Sequence, residues 1–230
     1  MLPRLYVLAV LRRYGAGFPL LLSRGLPGWV RSFVRMLHPD ETIIWYDSDR
    51  QRVTAPRVIV PSMMHTDHNF HPALNLMVHE LVRFGAAALP AAGPELLYLS
   101  RANVGDERIE NPEEVESAMS ELGFAVVHPQ ELPPEVQIGL FAGAKVIAGE
   151  YGSALHNALF APQGARVIAI NFFNNYQSRI ARLRQHRLAF VPPGDGRFRH
   201  WRLTGHSPRK YAVDPAVLRS VTLEVLERGG

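Results

Sequence analysis

The stretch AKVIAGEYGSALHNALFAP, residues 144–162, runs apolar, breaks at a glycine, turns polar and then resumes in helical spacing. Residues 145–148 read as a buried strand and residues 153–160 as a short helix. Between them stand Gly149, Glu150, Tyr151 and Gly152, with Ser153, Ala154, Leu155, His156 and Asn157 opening the helix. Pro162 and Gly164 stop that helix, and residues 166–170 make the next apolar strand. Strand, polar turn, helix and strand again form one unit of a parallel sheet.

The same rhythm extends outward. Residues 96–100, LLYLS, form a short strand that ends in Ser100 and Arg101. Asn111, Pro112, Glu113 and Glu114 mark a helix start, with Asn at the N-cap, Pro at the first helical position and acids in the first turn. Gly123 closes that helix, residues 124–127 are a strand, and residues 134–142 are a further helix. Strands and helices alternating at roughly 20 to 28 residues per repeat imply right-handed crossovers onto a parallel sheet. The strands are continuous apolar runs, as they must be where helices cover both faces.

The first half reads as an incomplete version of this plan. Helices are expected at residues 2–13, 27–37 and 72–84, with strands at 18–22, 42–46 and 57–60. The small, proline-broken residues 86–95 read as a hinge. The expected fold is therefore α/β. Residues 1–85 would be a partial first unit, and residues 96–230 a second unit closed by a C-terminal helix.

In an open parallel sheet, ligands bind beyond the carboxyl ends of the strands. In the second half those ends lead into Ser100 with Arg101, then His128, then residues 149–153, then Asn171. These groups should meet along one edge. Gly149 and Gly152 would let backbone approach a ligand, and Ser153 would cap a helix whose N–H groups favour an anion. Arg101 and Arg108 could fork a diphosphate or carboxylate, and Glu150 could hold a hydroxyl or act as a base. The plainer alternative is a tight capped turn with nothing bound. The chain has neither the GxGxxG fingerprint nor a GxxxxGK[ST] loop.

The second unusual string is HTDHNFHP, with His65, Asp67, His68 and His71. Such density can bind a divalent metal, but a loop lacks the fixed face of HExxH. A loop at an interdomain cleft, offering His65, His68 or His71 as a general base, is the preferred reading. His79, in mid-helix, reads as structural.

Composition narrows the classes. Cysteine is absent, which excludes disulfide frameworks and thiolate metal sites and fits a reducing, cytoplasmic compartment. The apolar run at residues 5–11 is too short to span a bilayer. The net charge is +4, and 23 of the 25 basic residues are arginine, densest at residues 179–209. That stretch reads as a solvated face or a peripheral contact with an anionic membrane. Interleaved aromatics are few, so nucleic acid is not an expected partner.

Several of these motifs occur together in one known family. Residues 98–101 (YLSR), Arg108 with Asn111, the run GFAVVHPQELPPEVQIGLFAGAKVIAGEYGSALHNALFAPQGARVIAIN and Gln177 resemble the family-61 glycosyltransferases. These include bacterial capsule and lipopolysaccharide sugar transferases. The resemblance is firm over residues 96–177 and looser over residues 2–84. It implies two Rossmann-like units of GT-B type and inverting transfer, generally without a metal held by Asp-x-Asp. It implies no resident cofactor, only a nucleotide-sugar co-substrate, expected to be UDP-linked, and a glycan or lipid-linked acceptor. Carried over position by position, Ser100, Arg101, Arg108, Asn111 and residues 149–157 become the donor site. Many relatives have His where this chain has Tyr151. The start resembles a helix that relatives place after an upstream segment, so the first unit is expected to lack its opening strands. Two other classes stay open: a non-catalytic nucleotide-sugar binder or partner subunit, and a metal-dependent hydrolase built on the histidine loop.

Overall fold

The computed structural model describes residues 2–15, 17–66, 69–89, 93–102, 108–171, 175–196 and 210–228. Its second half is a five-stranded parallel sheet of β3 (Leu96–Leu99), β4 (Ala125–Val127), β5 (Val146–Glu150), β6 (Arg166–Ile170) and β7 (Arg187–Val191). The spatial order is β4-β3-β5-β6-β7. The chain steps from β3 outward to β4, then crosses back over β3 to β5. This reversal makes the β3–β5 boundary a topological switch point, the place where open parallel sheets bind their ligands.

Both faces of the sheet are covered. One carries α4 (Pro112–Glu121) and the C-terminal α7 (Pro215–Glu227), whose Val115, Met119 and Leu218 pack on Val146 and Ile168. The other carries α5 (Pro134–Gly143) and a 3₁₀ helix at Ser153–Phe160, packed on Ile147 and Val167, with α6 (Asn175–Arg184) against the 3₁₀ helix. Every residue of β5 is buried. The helix signals behave as their chemistry dictates. Pro112 starts α4, and Gly123 ends it in the left-handed region at φ 85°.

In the first half, α1 (Leu2–Arg13), α2 (Gly28–Leu37) and α3 (Leu74–Ala88) surround a two-stranded parallel sheet of β1 (Leu20–Ser23) and β2 (Ile43–Tyr46). The class is thus α/β with two parallel sheets, as expected. The strand expected at residues 57–60 does not form. Val58 and Val60 are exposed, and the segment pairs with no strand among the described residues. β-branched composition alone does not make a strand without a partner edge.

Residues 86–88, expected in the hinge, are the last turn of α3. That helix lies hard against α5. A Cβ added at Gly85 would stand 2.6 Å from the Gly139 nitrogen, and one at Gly139 would stand 2.6 Å from the Gly85 oxygen. The glycine pair thus sets the helix separation. One apolar cluster runs from Leu5, Val34 and Leu81 through Ile138 and Phe141 to Leu97 and Ile147.

Candidate functional site

The switch-point edge is built from strand ends. Ser100 follows β3, is buried, and donates its hydroxyl to Glu116 while accepting from the Ala102 N–H at 3.1 Å. It thereby fixes the turn that presents Arg101. The Arg101 Nε lies 3.3 Å from Glu150 Oε2, with the two side chains 17% and 2% exposed. Glu150 Oε1 accepts from the Tyr211 hydroxyl at 3.0 Å. Burial, and then the neighbouring Glu150 charge, push the Tyr211 phenol well above its ordinary range, so it stays a donor. Tyr98, one strand over, is raised by burial first, then by the charges of Glu116 and Glu150.

Arg108 donates from Nη1 to the Tyr151 carbonyl at 3.2 Å. A Cβ at Gly152 would stand 3.3 Å from Arg101 Nη1. Two guanidinium groups from the segment after β3 therefore bear on consecutive residues of the turn after β5. Glu150, buried beneath, anchors one of them. The base or hydroxyl-binding role considered for Glu150 does not suit a side chain held this deep.

The glycines act differently from their sequence reading. Gly152 has φ 168°, extended backbone that any residue adopts. Gly149 lies within β5, where a Cβ would stand 3.0 Å from Leu99 Cβ across the pair. Both accommodate the chain's own neighbours. Gly152, not Ser153, occupies the N-cap, and no side chain among the described residues caps the 3₁₀ helix.

Other expected residues have identified partners. Asn157 donates to Gln137 Oε1 at 2.8 Å, tying the 3₁₀ helix to α5. Ala154 is half-buried and Leu155 is core. Asn111 donates to the Val213 carbonyl and accepts from the Val213 N–H, both at 2.9 Å. This holds the segment that delivers Tyr211. Asn171, after β6, is buried at φ 84°. His128 follows β4 as expected, and its buried Nδ1 has no hydrogen-bond partner among the described residues.

The histidine loop reaches the same region. His65 pairs with Phe70 in an antiparallel bridge, and His71 accepts from the Ala73 N–H at 3.2 Å; Asp67 and His68 lie outside the described residues. Ring contacts run from His65 to Phe70 (6.1 Å), Phe70 to Tyr176 (6.4 Å) and Tyr176 to His156 (5.9 Å). Arg182 and Arg184 of α6 donate to Asn69 at 2.6 Å and Asn75 at 2.7 Å. So these two arginines of the basic stretch tie α6 to the histidine loop and to α3, while residues 197–209 of that stretch lie outside the described residues. His79 is exposed.

Sequence reasoning missed Tyr211, Glu116 and Tyr176. Each acts through a contact with no local pattern. The description Glycosyltransferase 61 belongs to the family whose sequence model matches residues 1–168. No curated protein matches the chain. Among the described residues, no helix is long and apolar enough to cross a membrane.

Proposed function

Because the chain belongs to the glycosyltransferase 61 family, we propose that it moves a sugar from a nucleoside diphosphate carrier to a glycan or lipid-linked acceptor, with inversion. One observation carries this reading: Arg101 and Arg108 converge on Tyr151 and Gly152 at the switch point, over a buried Glu150. Charge develops on the diphosphate as the sugar leaves. Preorganised cations in a partly dry edge stabilise it most there. Arg101 and Arg108 supply that charge. Ser100, Glu150 and Tyr211 are positioning residues that fix Arg101 before the donor arrives.

Inversion needs the acceptor hydroxyl to attack from the side opposite the diphosphate, with a base to take its proton. His65, His68 and His71 are the candidate bases of this scheme, on a loop whose Phe70 meets the Tyr176 ring. A UDP-linked donor and an acceptor met at the inner face of a membrane complete the reading.

Thermal unfolding with UDP, GDP, CMP and UDP-sugars, each with and without chelator, tests the donor site. A nucleotide at a hundred times its dissociation constant adds about 2.7 kcal/mol of stability. The expected result is a shift with one nucleotide that survives chelator and disappears in Arg108→Ala. No shift with any nucleotide, in a folded sample, would refute the donor site.

A further inference from the structure

Charge is spread unevenly along the chain. Residues 1–39 carry six arginines and no acid, and the first carboxylate is Asp40. Arg12 and Arg13 are paired within the fold, with Glu41 and Glu80. Arg24, Arg31 and Arg35 are exposed and have no carboxylate partner among the described residues. Arg31 and Arg35 lie one turn apart on the outer stripe of α2, while Val30, Phe33, Val34 and Leu37 face the core. The Arg31 guanidinium lies 4.8 Å over the Trp45 ring and donates from Nη2 to the Arg24 carbonyl at 3.2 Å. Arg35 donates from Nη2 to Ser32 Oγ at 3.0 Å. Neutral partners thus hold both groups at the surface, and each keeps N–H donors for an anion from outside.

Beside this stripe is an open, mainly apolar recess of about 380 Å³ between α2, the end of α3 and the start of α5. Met36, Phe84, Ala87 and Ala88 make most of its lining, and Glu135 is its one carboxylate, with Oε2 buried. Phe84 is 39% exposed, and Trp29 in the first turn of α2 is 50% exposed. Residues 81–94, which include the second half of α3, carry Arg83 and again no acid. Exposed apolar surface rimmed by cations marks a contact face.

The occupant follows from the pairing of charge with rings. A soluble polyanion would leave Trp29, Phe84 and the recess in water. An apolar protein surface would leave three guanidinium groups uncompensated. A bilayer of anionic phospholipid meets both needs, because phosphates pair with arginine while aromatic rings settle at the headgroup boundary. We infer that the α2 face docks on an anionic bilayer, with Arg24, Arg31 and Arg35 on lipid phosphates and Trp29 and Phe84 at the boundary. The contact is peripheral, since no helix among the described residues is long and apolar enough to cross a membrane. It deepens the transfer reading above, on which it rests for its purpose, but the contact itself needs no nucleotide. The basic stretch at residues 179–209 is less suited where it is described, because Arg182 and Arg184 already hold Asn69 and Asn75.

The test is co-sedimentation of the full chain with vesicles of phosphatidylcholine alone and of phosphatidylcholine mixed equally with phosphatidylglycerol. Binding is expected only to the anionic vesicles and should weaken as salt rises. Arg31→Gln/Arg35→Gln should weaken it about tenfold or more and, being exposed changes, should melt like wild type. Arg197→Gln/Arg199→Gln/Arg202→Gln should bind like wild type. Brominated acyl chains should quench the tryptophan emission of the wild type, and Trp29→Phe should bind with most of that quenching lost. No binding, equal binding to both vesicles, full binding by the Arg31/Arg35 variant, or a loss confined to the Arg197/Arg199/Arg202 variant overturns the face. A dimer that forms through α2 and binds no vesicle would assign the face to a second copy and overturn it as well. UDP titration of the same samples separates the two ideas. Vesicle binding without UDP binding keeps the face and removes the donor reading, and UDP binding without vesicle binding does the reverse.

Discussion

Two strands of this chain end in nearly the same words: LLLSR at residues 20–24 and LYLSR at residues 97–101. Both are parallel strands whose Ser-Arg pair emerges at the carboxyl end. Their fates differ. Ser23 shares a 3.3 Å hydrogen bond with Ser48 at the surface, and Arg24 is exposed. Ser100 is buried against Glu116, and Arg101 is clamped by a carboxylate only 2% exposed. A strand-end motif becomes a candidate site only when neighbouring strands bury a counter-charge beside it. β5 brings Glu150 to Arg101; among the described residues, β2 brings Arg24 no equivalent.

The sheets themselves give the largest expected contrast. Ile147 is fully buried in β5, whereas Ile44 of β2 is 48% exposed. Ile147→Ala should cost about 4 kcal/mol in urea unfolding, and Ile44→Ala less than about 1 kcal/mol. Equal losses would mean that the outer face of the small sheet is covered in solution.

The Ser-Arg pairs come next. Arg101→Ala removes a cation held against the buried Glu150 and should cost about 3 kcal/mol, while Arg24→Ala should stay within about 0.5 kcal/mol. Similar values for both would erase the distinction between the two strand ends.

Acid provides a third comparison, between a buried histidine in each region. Burial lowers His38 in the first half, although its hydrogen bond to the Leu5 carbonyl opposes this. Burial lowers His186 in the second half to about 4, opposed by its bond to the Pro162 carbonyl. A depressed histidine favours the unfolded state once protons are available. Its stabilising contribution is present above the unfolded value of about 6.5 and is lost as pH falls toward 4. The loss should reach about 3 kcal/mol for His186, and His186→Gln should flatten the acid limb more than His38→Gln. The reverse order would place the more strongly desolvated ring in the first half.

The smallest expected effect sharpens the Glu150 cluster. Tyr211→Phe removes one hydrogen bond to a buried carboxylate and should cost about 2 kcal/mol, measured by the same unfolding. It should also weaken nucleotide binding through Arg101. Loss of stability with unchanged nucleotide affinity would confine Tyr211 to the core.

Legibility in the sequence tracks the range of each interaction. Strands β3 to β6 were readable because they are apolar runs and their helices carry local start and stop signals, whereas β7, only partly buried and set in an arginine-rich stretch, was not read as a strand. The convergence of Ser100, Arg101 and residues 149–153 came from parallel topology alone. Tyr211 was not readable, since it meets Glu150 across 61 positions with no periodic signal. The roles of Gly149 and Gly152 were inverted for the same reason. Their spacing announces a close approach, but only the fold shows that Leu99 and Arg101 are what approaches. Residues 57–60 have strand composition, and only the absence of a partner edge among the described residues reveals that they stay unpaired.

The most direct measurement is calorimetric titration of UDP into wild type, Arg101→Lys and Arg24→Lys, proteins that each keep their net charge. Lysine preserves the cation but loses the planar fork that lets one group serve Glu150 and a phosphate together. The expected result is about tenfold weaker binding for Arg101→Lys and wild-type binding for Arg24→Lys. Unchanged affinity in Arg101→Lys, or a loss confined to Arg24→Lys, would contradict a donor site at the β3–β5 edge.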